Sequence, residues 1–354
     1  NNNEYRINAL PAKTWYQLNM NDTRLLWDDN LVPCNMDTKG CDKVCSDVNA
    51  KDYSDIENAV LTGAGKEADV LFEAGVTNTL LVNADKETNG QTLYINVNGN
   101  DKNQSGKIIV NVEDNVTFTI IENFKGESST EGRVALRTLI DTGLNSKVRL
   151  IQVYMQPESI DVLSDTGCRL SDNASFEIVQ VFVGRGSLYD GIRTELIGNN
   201  SAFTADIGYL GAKKQNIDIN LISNHIGKKT NSGIRVDGAL KDEASKLFRG
   251  SIDFKNGSSG SVGAETENVL LLGEDVRNKT IPLILCAEED VNGSHGATIG
   301  ELDEETLFYY ASRGIDKKNA EDIMTKGRIE VIIRKINDED TEKLAEEQLE
   351  EVLQ

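Results

Sequence analysis

The chain has 354 residues and a formal charge of -21, from 37 basic and 58 acidic side chains. A chain this long can bury a sizeable core, and its acidity disfavours nucleic acids and anionic lipids as partners. No apolar run reaches the roughly 18 residues of a membrane helix, and the first ten residues lack an apolar signal-peptide core. We therefore expect a cytoplasmic protein that binds neither nucleic acid nor membrane. Because the sequence does not begin with Met, a short leader before Asn1 is compatible with it.

Five cysteines occur, at positions 34, 41, 45, 168 and 286. An odd number at irregular spacing, without an export signal, favours reduced thiols. Cys34, Cys41 and Cys45 form a C-x6-C-x3-C pattern, but three thiolates without a nearby fourth ligand make a poor zinc site. Ordinary loop cysteines, or a disulfide formed on storage, are favoured over a metal role, and the pattern does not decide their function.

Residues 1–75 are expected to form a mostly helical N-terminal region. Residues 44–66 show approximate helical spacing, and the apolar anchors before them are Trp15, Tyr16, Leu18, Leu25, Leu26 and Trp27. Residues 62–69, TGAGKEAD, superficially resemble a phosphate loop. Glu67 stands where that motif needs a hydroxyl for magnesium, so nucleotide binding there is disfavoured.

From residue 76 to residue 300 the apolar pattern alternates, which is typical of short strands. Gly, Asn, Asp and Ser interrupt the pattern about every ten residues. The predicted strands are 79–82, 92–97, 107–112, 116–121, 134–140, 148–155, 176–183, 191–197, 202–210, 216–222, 233–240, 247–254, 262–272 and 281–286. A β-sandwich or barrel and a solenoid both fit. The number of strands and the Asn- and Gly-rich corners favour the solenoid, although no clean repeat period is visible.

Residues 301–354 return to helical spacing. Asp303 and Asp316 are predicted N-caps, and Gly314 and Gly327 are predicted helix stops. Residues 328–336 fit a helix or a strand, and residues 338–354 predict an acidic amphipathic helix. Because a solenoid needs its open ends covered, both terminal regions are expected to cap it.

Residues 290–314 hold His295, one of only two histidines. The glycines at 293, 296 and 300 predict a tight corner that presents His295. Neutral imidazole can bind iron or carry a proton, so His295 is the best candidate for chemistry, and the alternative is an imidazole that only bonds the corner backbone. His225 is predicted to be structural, and Cys286 to be packed in the core.

Two segments resemble the SufB/SufD family of iron-sulfur cluster assembly proteins, and SufD in particular. Residues 294–315, SHGATIGELDEETLFYYASRGI, are similar to the family's C-terminal signature, and the likeness extends upstream to residue 222. Residues 8–22, NALPAKTWYQLNMND, resemble the family's opening motif, although Ala12 and Lys13 stand where a proline is expected nearby. Residues 30–130 match no family motif.

The resemblance implies a mainly β fold, a right-handed parallel β-helix core over residues 76–300 flanked by helical regions, with residues 328–336 helical. It implies that His295 lies where SufB and SufD subunits meet and helps to assemble a transient iron-sulfur cluster, as a tentative metal ligand. It also implies that residues 301–354 dock SufC, an ABC-type ATPase. The residues expected at that interface are Leu307, Phe308, Tyr309, Tyr310 and Arg313, a mixture of apolar, aromatic and arginine groups.

Three positions depart from the family's pattern. Gly293 replaces a cysteine that commonly precedes the histidine by two residues, and Gly296 replaces the glutamate that follows it in SufB. Glu267 or a neighbour fills the position of the essential SufB cysteine. These departures favour SufD over SufB.

The leading hypothesis is therefore a non-catalytic SufD-like scaffold that pairs with a SufB-like paralogue and holds the ATPase. A second hypothesis is a homodimer of this chain that builds clusters directly with SufC. A third is a carbohydrate-active β-helix enzyme, disfavoured by the lack of an export signal and of a basic groove. Participation of a flavin, as in some complexes of this family, stays open.

Overall fold

The computed structural model describes residues 2–14, 18–28, 30–45, 53–73, 77–127 and 131–354. The chain is mainly β and forms a parallel β-solenoid of about eight turns, with few helices at the termini. This confirms the predicted solenoid and excludes a sandwich or barrel. In the described part of the chain, no helix is both long enough and apolar enough to cross a membrane.

Two sheets run along the solenoid, and from residue 78 onward consecutive strands alternate between them. Sheet I contains β5 (Val44–Cys45), β6 (Asn78–Ala84), β8 (Asn103–Val112), β10 (Gly132–Thr142), β12 (Ile160–Leu170), β14 (Leu188–Leu196), β16 (Asn216–His225), β18 (Ser245–Phe254) and β20 (Arg277–Cys286), and β3 (Leu31–Pro33) pairs with β8. Sheet II contains β4 (Asn35–Lys39), β7 (Thr92–Gly99), β9 (Thr117–Gly126), β11 (Lys147–Tyr154), β13 (Ser175–Phe182), β15 (Ala202–Gly211), β17 (Asn231–Lys241), β19 (Ser261–Leu272) and β21 (Val291–Gly300).

The register explains why no repeat period is visible in the sequence. Lys147 pairs with Ser175, 28 residues on, and Ser175 pairs with Ala202, 27 residues on. Later turns are longer, since Asn231 pairs with Val262 after 31 residues. The strands of successive turns stay in register, and the corners between the strands differ in length. The repeat is therefore present in the structure but has no fixed spacing in the sequence.

The corners that lead from sheet I into sheet II use asparagine at a left-handed backbone position. Asn115, Asn145, Asn173 and Asn200 have φ between 56° and 62°. Asparagine tolerates this conformation better than most residues. The side chains also stack, because Asn145 Nδ2 donates to Asn115 Oδ1 at 3.2 Å and Asn200 Nδ2 donates to Asn173 Oδ1 at 3.2 Å.

The strands are buried on both faces. One set of alternate side chains fills the interior between the sheets, including Ile120, Leu150 and Ile178 on sheet II. The opposite set on sheet II, including Ile151 and Val179, packs under the C-terminal helices. Strands that are buried on both faces carry apolar residues at nearly every position. Other elements must therefore pack against their outer faces.

The N-terminal region covers sheet I and is less helical than predicted. Its described residues include β1 (Asn2–Ile7) paired antiparallel with β2 (Thr23–Asp28), besides β3 to β5. Only α1 (Ser54–Ala59) and a 3-10 helix (Lys66–Phe72) are helical. Trp27 is fully buried there, whereas Leu18 and Leu26 are exposed, and the predicted anchors Trp15 and Tyr16 lie outside the described residues.

The segment between these two helices packs its backbone directly against sheet I, and this close contact requires glycine. A Cβ at Gly63 would lie 2.1 Å from the Ile192 nitrogen, and a Cβ at Gly191 would lie 2.3 Å from the Ala64 nitrogen. The backbones therefore approach too closely for any side chain. The close packing of Gly63 explains a glycine in the TGAG sequence without a phosphate. Of the segment with helical spacing, residues 44–66, Val44–Cys45 form β5, Ser54–Ala59 form α1, and residues 46–52 lie outside the described residues.

A buried ion pair fastens the N-terminal region to sheet I. Arg249 Nη1 lies 2.8 Å from Asp218 Oδ1, and its Nε donates to the Met20 carbonyl at 2.7 Å. Asp218 also accepts from Asn8 Nδ2 at 2.7 Å and from the Thr23 hydroxyl. Removing one member of a buried ion pair leaves an uncompensated charge. The pair therefore holds the segment with the opening motif, residues 8–22, against sheet I.

The C-terminal helices are α2 (Glu304–Ala311), α3 (Lys317–Ile333) and α4 (Glu339–Leu353). Asp303 and Asp316 cap α2 and α3 as predicted, accepting from the Thr306 and Asn319 nitrogens. Gly314, with φ at +77°, follows α2 as predicted, but Gly327 lies inside α3 and does not end it. Residues 328–333 are thus helical.

Helices α3 and α4 cover the outer face of sheet II and not an end of the solenoid, so the end cap expected from the C-terminal region was wrong. Ile329, Ile332 and Ile333 of α3 are fully buried against strands in the middle of the sheet, and Leu349 of α4 joins them. The outer face of sheet II presents apolar side chains such as Ile151, Val179 and Leu210, so the amphipathic helices pack there.

The two ends of the solenoid differ. At the first end, β4 and β5 pair antiparallel with β7 and β6 and occupy the outer positions of the sheets. At the other end, β20 and β21 are the outermost strands of sheets I and II, each with one paired edge in the described structure. We call the surface formed by these two strands the open end.

Candidate functional site

His295 lies in the middle of β21 and not on a tight corner. The corner was predicted from Gly293, Gly296 and Gly300, but none of these has a positive φ. The backbone is extended because β21 pairs with β19 over ten residues, from Val291 opposite Ser261 to Gly300 opposite Leu270. The glycines predicted a turn because glycine adopts positive φ without steric cost. Pairing with the long neighbouring strand β19 instead holds the backbone extended.

The free edge of β21 has none of the usual features that discourage strand pairing. Residues 292–299 are exposed, and the strand sequence VNGSHGATIG contains no lysine, proline or ionised acid. Soluble proteins usually protect edge strands with charges, prolines, bulges or a covering element. A ten-residue strand with eight exposed residues and none of these features is suited to pairing with a strand of another chain.

Acidic side chains lie on the same side of sheet II as His295. His295 is in register with Glu265, and paired positions on neighbouring parallel strands project from the same face. Glu265 is 5% exposed and points into the interior. It occupies the space above Gly250, where a Cβ would lie 1.9 Å from Glu265 Oε2. Burial and the neighbouring Glu267 raise the pKa of Glu265 to about 8.

Glu267 forms a buried ion pair with Lys246 of β18, and Lys246 Nζ also lies 3.0 Å from the Thr280 hydroxyl on β20. Both charged side chains are at most 1% exposed. The position that the resemblance aligns with the essential SufB cysteine is Glu267 or a neighbour, and Glu267 is a buried carboxylate paired with the Lys246 ammonium group. The sequence did not predict the pairing with Lys246, although the alternation from Ser261 to Val269 places both glutamates on the inward face.

All five cysteines are free thiols. Cys286, predicted to be packed in the core, is exposed at the end of β20, because the outermost strand has no further turn to cover it. Cys34 is buried, which raises the pKa of its thiol to about 12, while Cys41 is half-buried and Cys45 is exposed. Within the ranges that the structure describes, no group of three or more His, Cys, Asp or Glu side chains is arranged to hold a metal ion.

His225 is structural, as predicted. It is fully buried, its Nδ1 is 2.7 Å from the Thr230 hydroxyl, and its Nε2 is 2.8 Å from the Ser232 hydroxyl. Its ring lies 4.6 Å from the Phe254 ring. Burial lowers the pKa of His225 to about 4. Both nitrogens are engaged, so this imidazole is not available as a ligand.

Four of the five residues predicted to contact an ATPase lie on α2, which contains no buried residue, and Arg313 follows the end of that helix. Phe308 is 75% exposed and Tyr309 is 53% exposed, while Leu307 and Tyr310 are half-buried. The Arg313 guanidinium lies 3.7 Å from the centre of the Tyr309 ring, and the Tyr310 hydroxyl lies 3.3 Å from Met324 Sδ on α3. Phe308, Tyr309 and Arg313 thus form an exposed aromatic and cationic surface.

Comparison with known proteins gives one family. The family model described as SUF system FeS cluster assembly, SufBD core domain, matches residues 94–328. The iron-sulfur cluster assembly protein SufD of Bacillus subtilis is 25% identical over 265 residues, which is 74% of this chain and 60% of that protein. SufD of Escherichia coli is 25% identical over 206 residues, covering 58% of this chain and 49% of that protein. An iron-sulfur cluster assembly SufBD family protein of Pyrococcus horikoshii is 28% identical over 193 residues, covering 54% and 43%.

The chain spans between 43% and 60% of the length of these three relatives. The matched region contains β8 to β21, α2 and most of α3. It therefore includes the open end, His295 and the exposed surface of α2.

The buried imidazole of His225 predicts a pH dependence. Its pKa is about 4 in the folded chain against about 6.5 in the unfolded chain, so the unfolded chain binds more protons between these values. His225 therefore favours folding above about pH 6.5, and that contribution falls by about 3 kcal/mol as the pH drops to about 4. The stability of wild type relative to His225→Gln, measured as the difference between their free energies of unfolding in urea titrations, should therefore fall as the pH drops from about 6.5 to about 4. The exposed His295→Gln variant should keep the wild-type slope, and equal slopes in all three proteins would contradict the assignment.

Proposed function

This chain belongs to the SufBD core family of the SUF system for iron-sulfur cluster assembly, and from that premise we propose that it is a SufD-like scaffold subunit. The observation that carries the proposal is the open end, where the unprotected edge of β21 presents His295. The chain catalyses no covalent step of its own. The cluster is cargo, assembled where this chain meets its partner.

The partner at the open end is a SufB-like paralogue. Strands β20 and β21 pair with the matching strands of the paralogue, which satisfies the backbone groups on their free edges. The paralogue brings the cysteine and glutamate that this chain replaces with Glu267 and Gly296. His295 adds an imidazole, which suits iron as a ligand.

Self-pairing is the second candidate, because one observation favours it. Cys286 is exposed at the end of β20, so two copies joined at their open ends would bring their own thiols to the interface. A homodimer of this kind would build clusters directly with the ATPase. Light scattering on the chain alone separates the two candidates, since a stable dimer favours self-pairing and a monomer favours the paralogue. Family membership leaves no support for a carbohydrate-active enzyme.

The second partner is an ABC-type ATPase of the SufC kind, which docks on α2. Phe308, Tyr309 and Arg313 belong to the residue types that dominate interface energies, and Phe308 has little intramolecular packing to lose. ATP turnover by that partner changes the distance between the paired scaffold subunits and admits iron and sulfur beside His295. This scheme places the assembly in the cytoplasm.

Removing the His295 imidazole should slow cluster formation. In the complete complex of this chain, the paralogue and the ATPase, we expect His295→Ala to lower the rate by at least roughly tenfold, as when a metal site loses a supporting group. The measurement is anaerobic cluster assembly followed by absorbance. Because His295 is exposed at an edge, the variant should fold and form the complex. A wild-type rate in an intact complex would remove His295 from the site.

A charge at the open end should prevent pairing of the scaffold subunits. Ile299 of β21 is 43% exposed, and its partner in register, Val269, points into the interior. We expect Ile299→Lys to weaken binding to the paralogue by roughly 30-fold or more, because the lysine would have to be desolvated. The matched control is Val262→Lys, since Val262 is 41% exposed but lies on the outer face of β19. Equal loss in both variants, measured by calorimetry, would contradict docking at the open end.

Truncating Phe308 should weaken ATPase binding. We expect Phe308→Ala to raise the dissociation constant roughly tenfold or more, with an unchanged melting temperature. Leu144→Ala is the control, because Leu144 is a 46% exposed apolar side chain on a distant corner. A truncation after Gly300 is a poorer test, since it would uncover the apolar face of sheet II. Unchanged affinity in Phe308→Ala would place the ATPase elsewhere.

A further inference from the structure

The interior of the solenoid contains a chain of polar side chains that neither the open end nor α2 uses. Glu122 of β9 accepts from the Thr138 hydroxyl of β10 and from Gln152 Nε2 of β11, each at 2.7 Å. Gln152 Oε1 accepts from Gln180 Nε2 of β13 at 2.7 Å. Gln180 Nε2 is also 3.2 Å from Asp190 Oδ1 of β14. We call these five side chains the interior network.

The interior network joins the two sheets in the middle of the solenoid. Thr138 and Asp190 belong to sheet I, while Glu122, Gln152 and Gln180 occupy paired positions on three successive strands of sheet II. Every member is at most 1% exposed. Apolar side chains surround it, among them Phe124, Tyr154 and Ile192. Polar groups in such an interior are costly unless each is paired.

Two neighbouring oxygens in the interior network have no hydrogen-bond donor within the described structure. They are Asp190 Oδ2 and Gln180 Oε1. A carboxylate cannot donate, so an ionised Asp190 leaves both oxygens unpaired acceptors. A protonated carboxyl group supplies the missing O–H donor, which relieves the cost of burial.

The charges around the interior network do not compensate two carboxylates. Tyr154 of β11 donates its hydroxyl to Ser164 of β12 at 2.8 Å, and burial raises its pKa, so it stays neutral. Asp165, on the outer face of β12, adds negative potential and is itself paired with Arg137. Within the described chain, no lysine, arginine or histidine forms a hydrogen bond or ion pair with the five members.

Burial has the same effect on both carboxyl groups. Desolvation raises the pKa of Glu122 to about 7, against the hydrogen bonds from Gln152 and Thr138, which lower it. Desolvation also raises the pKa of Asp190 to about 7, against hydrogen bonds from Gln180 and Ser164, which lower it, while the charges of Asp165 and Glu122 add to the increase. Both groups therefore change charge near neutral pH, while exposed carboxyl groups do so in acid.

We propose that the interior network is a proton-operated lock on the middle turns of the solenoid. With Glu122 and Asp190 protonated, the network ties β9, β11 and β13 to β10 and β14 across the interior. Loss of the protons places two like charges in an apolar interior and loosens these turns. The proposal is independent of the proposed scaffold function, because it concerns only the solenoid itself.

The direction of the pH effect follows from proton linkage. Between about pH 4 and about pH 7 the folded chain holds protons on these two groups that the unfolded chain has released. The free energy of unfolding therefore decreases as the pH rises through this window, and the contribution is lost above it. Glu265, whose pKa is raised to about 8, adds a separate decrease that does not depend on the network.

The test is the urea midpoint of the full chain between about pH 5 and about pH 8. Wild type should show a falling midpoint. The variants Glu122→Gln and Asp190→Asn keep the shape of the side chain but cannot ionise. The urea midpoint of each variant should therefore fall less than that of wild type as the pH rises. The double variant should lose at least half of the wild-type decrease. The control is Glu113→Gln, an exposed carboxyl group before β9, which should keep the full decrease. A decrease in the double variant equal to that of wild type would overturn the proposal.

A second measurement needs no variant, in case the amide substitutions prevent folding. Hydrogen exchange of wild type, corrected for the intrinsic rate, should show faster opening of β9, β13 and β14 at about pH 8 than at about pH 6. The reference is α4, which lies outside the solenoid and should open equally at both values. Equal changes in the strands and in α4, or no change in the strands, would overturn the proposal.

Discussion

Backbone hydrogen bonding between successive turns is the interaction on which this molecule depends. Every inner strand of sheets I and II pairs with one neighbour on each side, so its N–H and C=O groups are satisfied within the stack. Such a stack has two ends by construction, and each end leaves a row of unpaired groups. Antiparallel strands β4 and β5 occupy the first end. The opposite end has no comparable cover in the described structure, and His295 lies there.

The terminal regions cover the sheets and leave this end open. Because the strands carry apolar side chains on both faces, sheet I is covered by the N-terminal segment and sheet II by α3 and α4. The N-terminal cover is fixed by the Arg249 and Asp218 ion pair and reaches β20, where Leu10 and Met20 pack on Ile281. The outer faces are thus committed to intramolecular packing. The edges of β20 and β21, together with α2, remain available to partners.

Much of the solenoid could be predicted from alternation alone, since each predicted strand between residues 79 and 286 falls on a strand of the structure. Between residues 76 and 300, two strands were missed, β12 and β21, each for a physical reason. In β12 the inward positions include Ser164 and Thr166, so the polar side chains of the interior weaken the apolar alternation. In β21 the glycines suggested a turn, whereas pairing with β19 holds them extended. In both strands, pairing with the neighbouring strand outweighs the local conformational preference of the residues.

The candidate site was predictable in part. His295 was singled out from its sequence context, and family resemblance gave it a role, but its location on a free strand edge is a property of the stacking. The ion pair between Lys246 and Glu267 joins residues 21 positions apart on different sheets, and no spacing rule indicates it. Cys286 was expected in the core because its strand is apolar. It is exposed because that strand is the last in its sheet.

The central claim is that β20 and β21 are the docking edge for a second scaffold subunit. Hydrogen exchange of these two strands, measured for the chain alone and in a complex with its SufB-like paralogue, tests it most directly. The account predicts rapid exchange along the free edges in the chain alone and strong protection in the complex, with the buried strands β11 and β13 unchanged. A stable complex that leaves the amides of β20 and β21 unprotected would contradict it.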